Sequence, residues 1–398
     1  MNTQEFVKKY AISRNNTDSV KWDGMAKSFD GRNDLIPMWV ADADFKCPDA
    51  VVQAVEQFAA LGVYGYTLAP QTYKQAFIEW EKTRHHFECK EEWIRFVSGV
   101  VSGLYIVIKA LTNPGDAVII QTPVYYPFSD SVKNTHRKLI ISELVDNHGR
   151  YEMNLEDFEQ KIIENDVKLY ILCSPHNPVA RVWTEQELIN VFDICQKHDV
   201  IIVADEIHQD LIFGDNKQTT APIVANGKYI EQIVMLTAAS KTFNIAGLQN
   251  SFLVTASVEL GEKLDAELKY DALVWGNPFG YRAAEAAYRH GSEWLAAFLN
   301  VIAENYQSLK KILSQDDRIH VYPLEGTYLC WVDLRDCVPM DDIHRVVQDI
   351  AGIADDYGEW FGDCGKGFIR INLATVPERV QDVGNRLLNA ISCEQSGG

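Results

Sequence analysis

The chain is predicted to fold as an α/β protein: a mainly parallel central sheet covered by helices, followed by a smaller α+β domain. Three observations predict it. Short apolar runs alternate with helical patterns across residues 93–255, as parallel strands covered on both faces do. After residue 278 the character changes to a long helical stretch and then short strands separated by helices. The length, 398 residues, is enough for two or more domains with large cores.

Taken in order, residues 1–45 read as irregular and punctuated by glycine, although 35–45 (LIPMWVADADF) is too apolar for a free tail and is expected to cross another domain or subunit. Apolar residues at helical spacing (Val51, Val52, Val55, Phe58, Ala59) predict a helix over 49–61. Residues 62–70 form a turn-rich loop carrying Tyr64 and Tyr66, and 73–87 is helical. A strand at 93–97 runs into SGVVSG (98–103) and a helix through Leu111. Strand, Gly/Ser turn and helix N-terminus together suit an anion, because free backbone N–H groups and the helix dipole point at it; two glycines alone equally suit a tight turn.

Further strands are predicted at 117–121, 139–144, 167–173, 200–204 and 233–236. Thr184-Glu-Gln-Glu187 is a capping box that opens a helix to about His198. Helix is expected over 278–313, then strands at 319–322, 327–334 and 367–373. The expected division is an N-terminal segment (1–46) contributing to the small domain and to dimer contacts, a large domain (47–285) and a small C-terminal domain (286–398).

A formal net charge of −19, from 37 basic and 56 acidic residues, argues against a nucleic-acid groove or an anionic membrane surface. The N-terminus lacks the apolar core of a signal peptide, and no apolar run approaches a membrane span. The eight cysteines are scattered without a C-x-x-C pair, so reduced thiols in a cytoplasmic protein are expected.

Four strand-end loops carry chemistry: Tyr125 after the strand at 117–121, Asn177 within SPHNP (174–178), Asp205 with His208 in DEIH, and Lys241 in the small-residue turn TAASKT. In an open parallel sheet such ends line one edge. Lys241 alone also reads as a solvated loop lysine. The set, in this order, is what pyridoxal 5′-phosphate needs: an amine for the aldehyde, a buried carboxylate for the pyridine nitrogen, an amide for the 3′-oxygen, an aromatic for the ring face and a helix N-terminus for the phosphate. VIIVADEIH (200–208) also looks like the acidic strand end of a nucleotide-driven helicase, but the G-x-x-x-x-G-K-[ST] loop that reading requires is absent. His85, His86, Glu88 and Cys89 lack partners at ligand spacing and read as a solvated helix face, so no metal is expected.

With these motifs the chain resembles the fold-type I pyridoxal-phosphate enzymes of the class I/II aminotransferase group. More narrowly, it resembles the cystathionine β-lyase-type carbon–sulfur lyases of the MalY/PatB family. The likeness runs nearly end to end, through DSVKWD (18–23), PMWVADADF (37–45), GYT (65–67), SPHNP (174–178), DEIHQ (205–209), residues 240–250 and FIRINL (368–373). It implies that Lys241 bonds the cofactor aldehyde, Asp205 pairs with the pyridine nitrogen, Asn177 contacts the 3′-oxygen and Tyr125 stacks on the ring. It further implies that Val100 and Val101, through backbone N–H, and Ser240 hold the phosphate, with His208 also at the cofactor. Arg370 would bind the substrate α-carboxylate, Asp44 and Trp39 would border the substrate pocket, and Tyr66 would reach the neighbouring subunit of a homodimer.

Three positions depart from the larger group: Gln249 stands where an arginine usually clamps the phosphate, Ala238 where a small hydroxyl or glycine is usual, and His208 where tyrosine is usual. These match the lyase subfamily better. The implied reaction is α,β-elimination from cystathionine-like S-conjugates of L-cysteine, giving a thiol, pyruvate and ammonia. The alternatives are an aminotransferase using the same site and a non-catalytic regulatory protein with this fold.

Overall fold

The computed structural model describes residues 1–273 and 275–396, without the side chains of 393–396. Seven strands build the large sheet: β1 (Ile94–Val97), β2 (Ala117–Thr122), β3 (Lys138–Glu143), β4 (Val167–Cys173), β5 (Ile201–Asp205), β6 (Ile233–Thr237) and β7 (Ser251–Val254). Their spatial order is β1-β7-β6-β5-β4-β2-β3. Strands β3, β2, β4, β5 and β6 run parallel, so their carboxyl ends share one edge. The short strand β7, which the sequence analysis did not resolve, runs antiparallel between β1 and β6.

Among the described residues the α-helices are α1 (Thr3–Tyr10), α2 (Asp49–Ala59), α3 (Gln71–His85), α4 (Val100–Leu111), α5 (Pro127–Asn134), α6 (Leu155–Asn165), α7 (Glu185–Lys197), α8 (Ala239–Phe243), α9 (Val258–Tyr270), α10 (Pro278–His290), α11 (Ser292–Leu313) and α12 (Pro377–Ser396). The capping box at Thr184 and Glu187 forms with both reciprocal hydrogen bonds and opens α7.

Alternate side chains leave each strand on opposite faces. Val118 and Ile120 of β2 join a core with Leu104 and Val107 of α4 and Leu264 of α9. Ala117 and Ile119 join a second core with Phe158 of α6 and Val191 and Phe192 of α7. Because both faces are covered, every residue of β2, β6 and β7 is buried, which is why the body of each run is apolar rather than alternating, with polar residues only at the strand ends. Gly103 lets α4 lie close on the sheet: a Cβ there would come 2.6 Å from Leu236 Cδ2.

The small sheet has β8 (His320–Val321), β9 (Leu329–Asp333), β10 (Asp356–Tyr357) and β11 (Phe368–Asn372) in the order β8-β9-β11-β10, all antiparallel. The N-terminal segment is woven into this region. Ile36–Pro37 pairs in parallel with Ile353–Ala354, and Asn372 Nδ2 donates to the Val40 and Asp42 carbonyls at 2.6 and 2.8 Å. The expected irregularity of residues 1–45 is corrected at α1, whose Asn2–Glu5 capping box was present in the sequence. Its Phe6 packs on Phe45 and Trp294 with ring centroids 5.2 and 5.4 Å apart.

Seven cysteines carry free thiols, while the Cys393 side chain lies outside the described residues. Among the described residues no helix is long and apolar enough to cross a membrane.

Candidate active site

The parallel topology delivers the strand-end groups to one place. A cavity of about 190 Å³ is lined by Tyr125, Asn177, Asp205, His208, Ser240 and Lys241, with Val100 and Val101 from the start of α4.

Lys241 sits in α8, a short helix that Asn244 ends in the left-handed conformation (φ 56°). The Asn244 side chain accepts from Ala43 N at 3.0 Å and donates to the Ala43 and Phe45 carbonyls at 2.9 and 2.8 Å. The lysine turn is thereby fastened to the N-terminal segment. Lys241 Nζ donates to the Ala41 carbonyl at 2.6 Å, and Tyr328 Oη donates to the same oxygen at 2.8 Å. Burial lowers the Lys241 ammonium to about 8 against the opposing charge of Asp42, with Arg370 also lowering it and Asp205 raising it.

Asp205, at the end of β5, is buried and accepts the Ile207 N–H at 3.1 Å. Burial raises its carboxyl to about 7, although that hydrogen bond and Lys241 both oppose the rise. A buried carboxylate with so little compensation calls for a cationic partner. His208 is also buried and is held neutral by burial, then by the positive charges of Lys241 and Arg370. Its Nδ1 has no partner.

The opposite end of the cavity suits an anion. The first N–H groups of α4 have no intrahelical acceptors. Ser98 and Ser240 line the same end, with Asn250, whose buried Nδ2 lacks a partner although its Oδ1 accepts from Tyr73 Oη at 2.9 Å. An amine, an uncompensated carboxylate, an aromatic wall from Tyr125 and an anion cradle together fit pyridoxal 5′-phosphate. Gln249, where a clamping arginine is usual, does not line this cavity, and the unpaired Asn250 amide beside it does.

Arg370, central in β11, donates from Nη1 to Asn177 Oδ1 at 2.9 Å and from Nη2 to the Trp39 carbonyl at 2.8 Å. Its guanidinium also meets Asp356, lies 4.9 Å from the Phe361 ring centroid, and leaves Nε without a partner.

Arg370 lies outside the cavity lining but bonds Asn177, which lines it; Asp44 and Trp39 lie elsewhere, as does Tyr66, which is expected at the partner's site. Asp44 sits outside the cavity lining in a buried ion cluster, accepting from Lys21 Nζ at 3.1 Å, Trp22 Nε1 at 2.9 Å, Thr375 Oγ1 at 2.7 Å and Arg379 at 2.8 Å. The Trp39 ring packs edge-on against Phe29 at 5.2 Å and donates to the Lys21 carbonyl at 3.0 Å, so only its backbone carbonyl meets Arg370. Tyr66 is 99% exposed, near Trp275 at 6.2 Å between ring centroids.

Sequence reasoning missed Ala41, Tyr328, Asn250 and Asp356. Backbone acceptors carry no side-chain signal, but the paired aspartates in IADDYG were a visible irregularity in an apolar stretch. The expected solvated face at His85 and Cys89 is corrected: both are buried. His85 Nε2 lies 2.9 Å from Asp210 Oδ1, a carboxylate that also accepts from Trp80 Nε1 at 3.1 Å and Thr242 Oγ1 at 2.8 Å. The pairing partner is 125 residues away, beyond any local pattern. Among the described residues no group of three or more His, Cys, Asp or Glu side chains is placed to hold a metal ion.

The family model for aminotransferase class I and II matches residues 33–386. The chain belongs to that family. Within it, the chain is similar to cystathionine β-lyase PatB of Bacillus subtilis (strain 168), 34% identical over 94% of this chain and 97% of that one. Among solved structures, a pyridoxal-phosphate-bound protein from Clostridium difficile 630, assigned provisionally as an aminotransferase, superposes with a TM-score of 0.93 and 38% identity over 96% and 99% of the two chains. Cystalysin from Treponema denticola, which contains pyridoxal 5′-phosphate, superposes with a TM-score of 0.91 and 34% identity over 96% and 98%.

Proposed function

We propose that this protein is a pyridoxal 5′-phosphate-dependent carbon–sulfur β-lyase that cleaves cystathionine-like S-conjugates of L-cysteine to a thiol, pyruvate and ammonia. The observation that carries the reading is the placement of the Lys241 amine and the uncompensated Asp205 carboxylate in one cavity beside an anion cradle. Similarity to PatB, named a cystathionine β-lyase, along nearly the whole of both chains favours lyase over aminotransferase.

Bound there, the cofactor supplies an aldehyde for Lys241 and a ring that accepts electron density from the substrate Cα. The protein's own groups do the rest. Val100 and Val101 N–H, Ser98, Ser240 and the Asn250 amide hold the phosphate. Asp205 keeps a proton on the pyridine nitrogen, Asn177 contacts the 3′-oxygen and Tyr125 covers the ring. His208, neutral and facing the same cavity, adds no charge there. Arg370 receives the α-carboxylate, a task suited to a planar fork of donors. Lys241 Nζ, with an ammonium pKa of about 8, takes the α-proton as general base near neutral pH. The β-sulfur then leaves as a thiolate, and water completes release of pyruvate and ammonia.

The reading extends to a homodimer in which Tyr66 reaches the partner's site. Supporting it, Tyr66, Tyr64, Leu68 and Trp275 all expose large apolar surface on the same region. A cytoplasmic location is part of the reading, supported by the free thiols.

The test is incubation of the purified holoenzyme with L-cystathionine and no keto acid, with pyruvate followed by coupled lactate dehydrogenase. Steady catalytic pyruvate is expected. Amino-group exchange only after a keto acid is added, with no pyruvate from cystathionine, would instead assign an aminotransferase.

A further inference from the structure

Arg370 and Asp356 are register partners on the antiparallel strands β11 and β10, so their side chains share one face of the small sheet. They form a buried ion pair, with side-chain exposures of 3% and 6%. Arg370 Nη1 gives one hydrogen to Asn177 and Nη2 both of its own to the Trp39 carbonyl and Asp356, which leaves the buried Nε and the second Nη1 hydrogen as donors for an incoming carboxylate. Lys241 lies close enough for Arg370 to lower its ammonium, and burial disfavours charge on the other neighbours of the pair. Burial raises Asp355 well above its ordinary value, and burial also raises the phenols of Tyr125 and Tyr126. Asp356 itself, raised to about 6 by burial against the pull of Arg370, keeps its charge near neutrality. Within the pair the two charges therefore cancel before substrate arrives, and an α-carboxylate on Arg370 leaves the pair with a surplus negative charge.

We infer that Asp356 is a specificity-determining residue: by cancelling Arg370 it makes the pocket select thioether amino acids whose distal group is cationic or net neutral, as the zwitterionic end of cystathionine is, over those whose distal group is net anionic. The inference rests on the lyase reading for the placement of the substrate α-carboxylate on Arg370. The β-sulfur lies only a few bonds from that carboxylate, so a distal charge stays within electrostatic reach. One unit charge at about 8 Å and an effective dielectric of about 20 changes affinity by more than tenfold.

The test compares S-(2-aminoethyl)-L-cysteine, S-ethyl-L-cysteine and S-carboxymethyl-L-cysteine on the holoenzyme. Binding is read from the change in cofactor absorbance, and KM and kcat from pyruvate. The wild type is expected to rank cationic above neutral above anionic, with about tenfold or more between the extremes, mainly in KM. In Asp356→Asn the anionic compound should gain and the cationic one lose, shrinking that ratio by about tenfold. Equal wild-type affinity for all three overturns the inference without any variant. An equal rise in KM for all three in Asp356→Asn also overturns it, because Asp356 would then only position Arg370. If the binding order holds but none of the three yields pyruvate, the lyase reading fails while the specificity assignment stands.

Discussion

Lys241 Nζ and the Ala41 carbonyl oxygen are 2.6 Å apart, a hydrogen bond that joins the central amine of the site to a segment 200 residues earlier. The contact matters chemically because the same segment brings Asp42, whose charge counters the burial that lowers the Lys241 ammonium to about 8. Only the neutral amine attacks an aldehyde. The rate at which apoenzyme takes up pyridoxal 5′-phosphate should therefore rise with pH and level off above about 8. In Asp42→Asn the midpoint should move lower, since a charge that favours the ammonium is removed. A midpoint at the ordinary lysine value, measured by stopped-flow absorbance, would contradict this.

Asp205 has burial raising its carboxyl to about 7 and little to offset it. Asp205→Asn keeps the shape and removes the charge. The expected result is a fall in kcat of about a hundredfold or more, the scale of losing one preorganised electrostatic partner, with the cofactor retained. Unchanged kcat would remove Asp205 from its proposed role.

Asp44 gives a stability prediction. Burial pushes its carboxyl up, but Lys21, Trp22 Nε1, Arg379 and Thr375 outweigh that and hold it below its ordinary value. A carboxyl lowered on folding contributes stability above its unfolded pKa of about 4, and that contribution is lost as pH falls through the lower folded value. Asp44→Asn leaves the buried Lys21 without its counter-ion, so urea unfolding near pH 7 should show a loss of about 3–5 kcal/mol. A stable variant with a raised KM would place Asp44 at the substrate instead.

Tyr66 gives a test of the dimer. Tyr66→Ala and Lys241→Ala should each be nearly inactive alone. Mixed and allowed to exchange subunits, they should recover up to about one quarter of wild-type activity, because about half of the dimers are then mixed and each of those carries one intact composite site of its two. No recovery despite exchange would confine each site to a single chain.

Much of the fold was readable because the strands of the large sheet are buried on both faces. Val167–Cys173, VKLYILC, is apolar apart from Lys168, and its predicted bounds match β4. The helix at Glu185–Lys197 was readable because its capping box is local, with both partners three residues apart. Strand β7, four residues long, offers no period to recognise, and α1 was hidden because its helical face, Phe6 and Tyr10, is only two residues deep.

The sequence by itself determined which groups are available and which edge they reach: Asp205 ends a strand, Tyr125, Asn177 and Lys241 each follow one, and parallel strands end on one side. Only the tertiary structure decided what those groups meet. Asp44 became the centre of a buried ion cluster because Lys21, Thr375 and Arg379 converge on it from distant parts of the chain. Asp356 became the counter-ion of Arg370 because strand register sets them opposite one another. Strand ends follow from local patterns of burial, whereas charge pairing depends on distances between residues far apart in sequence, and those exist only once the chain has folded.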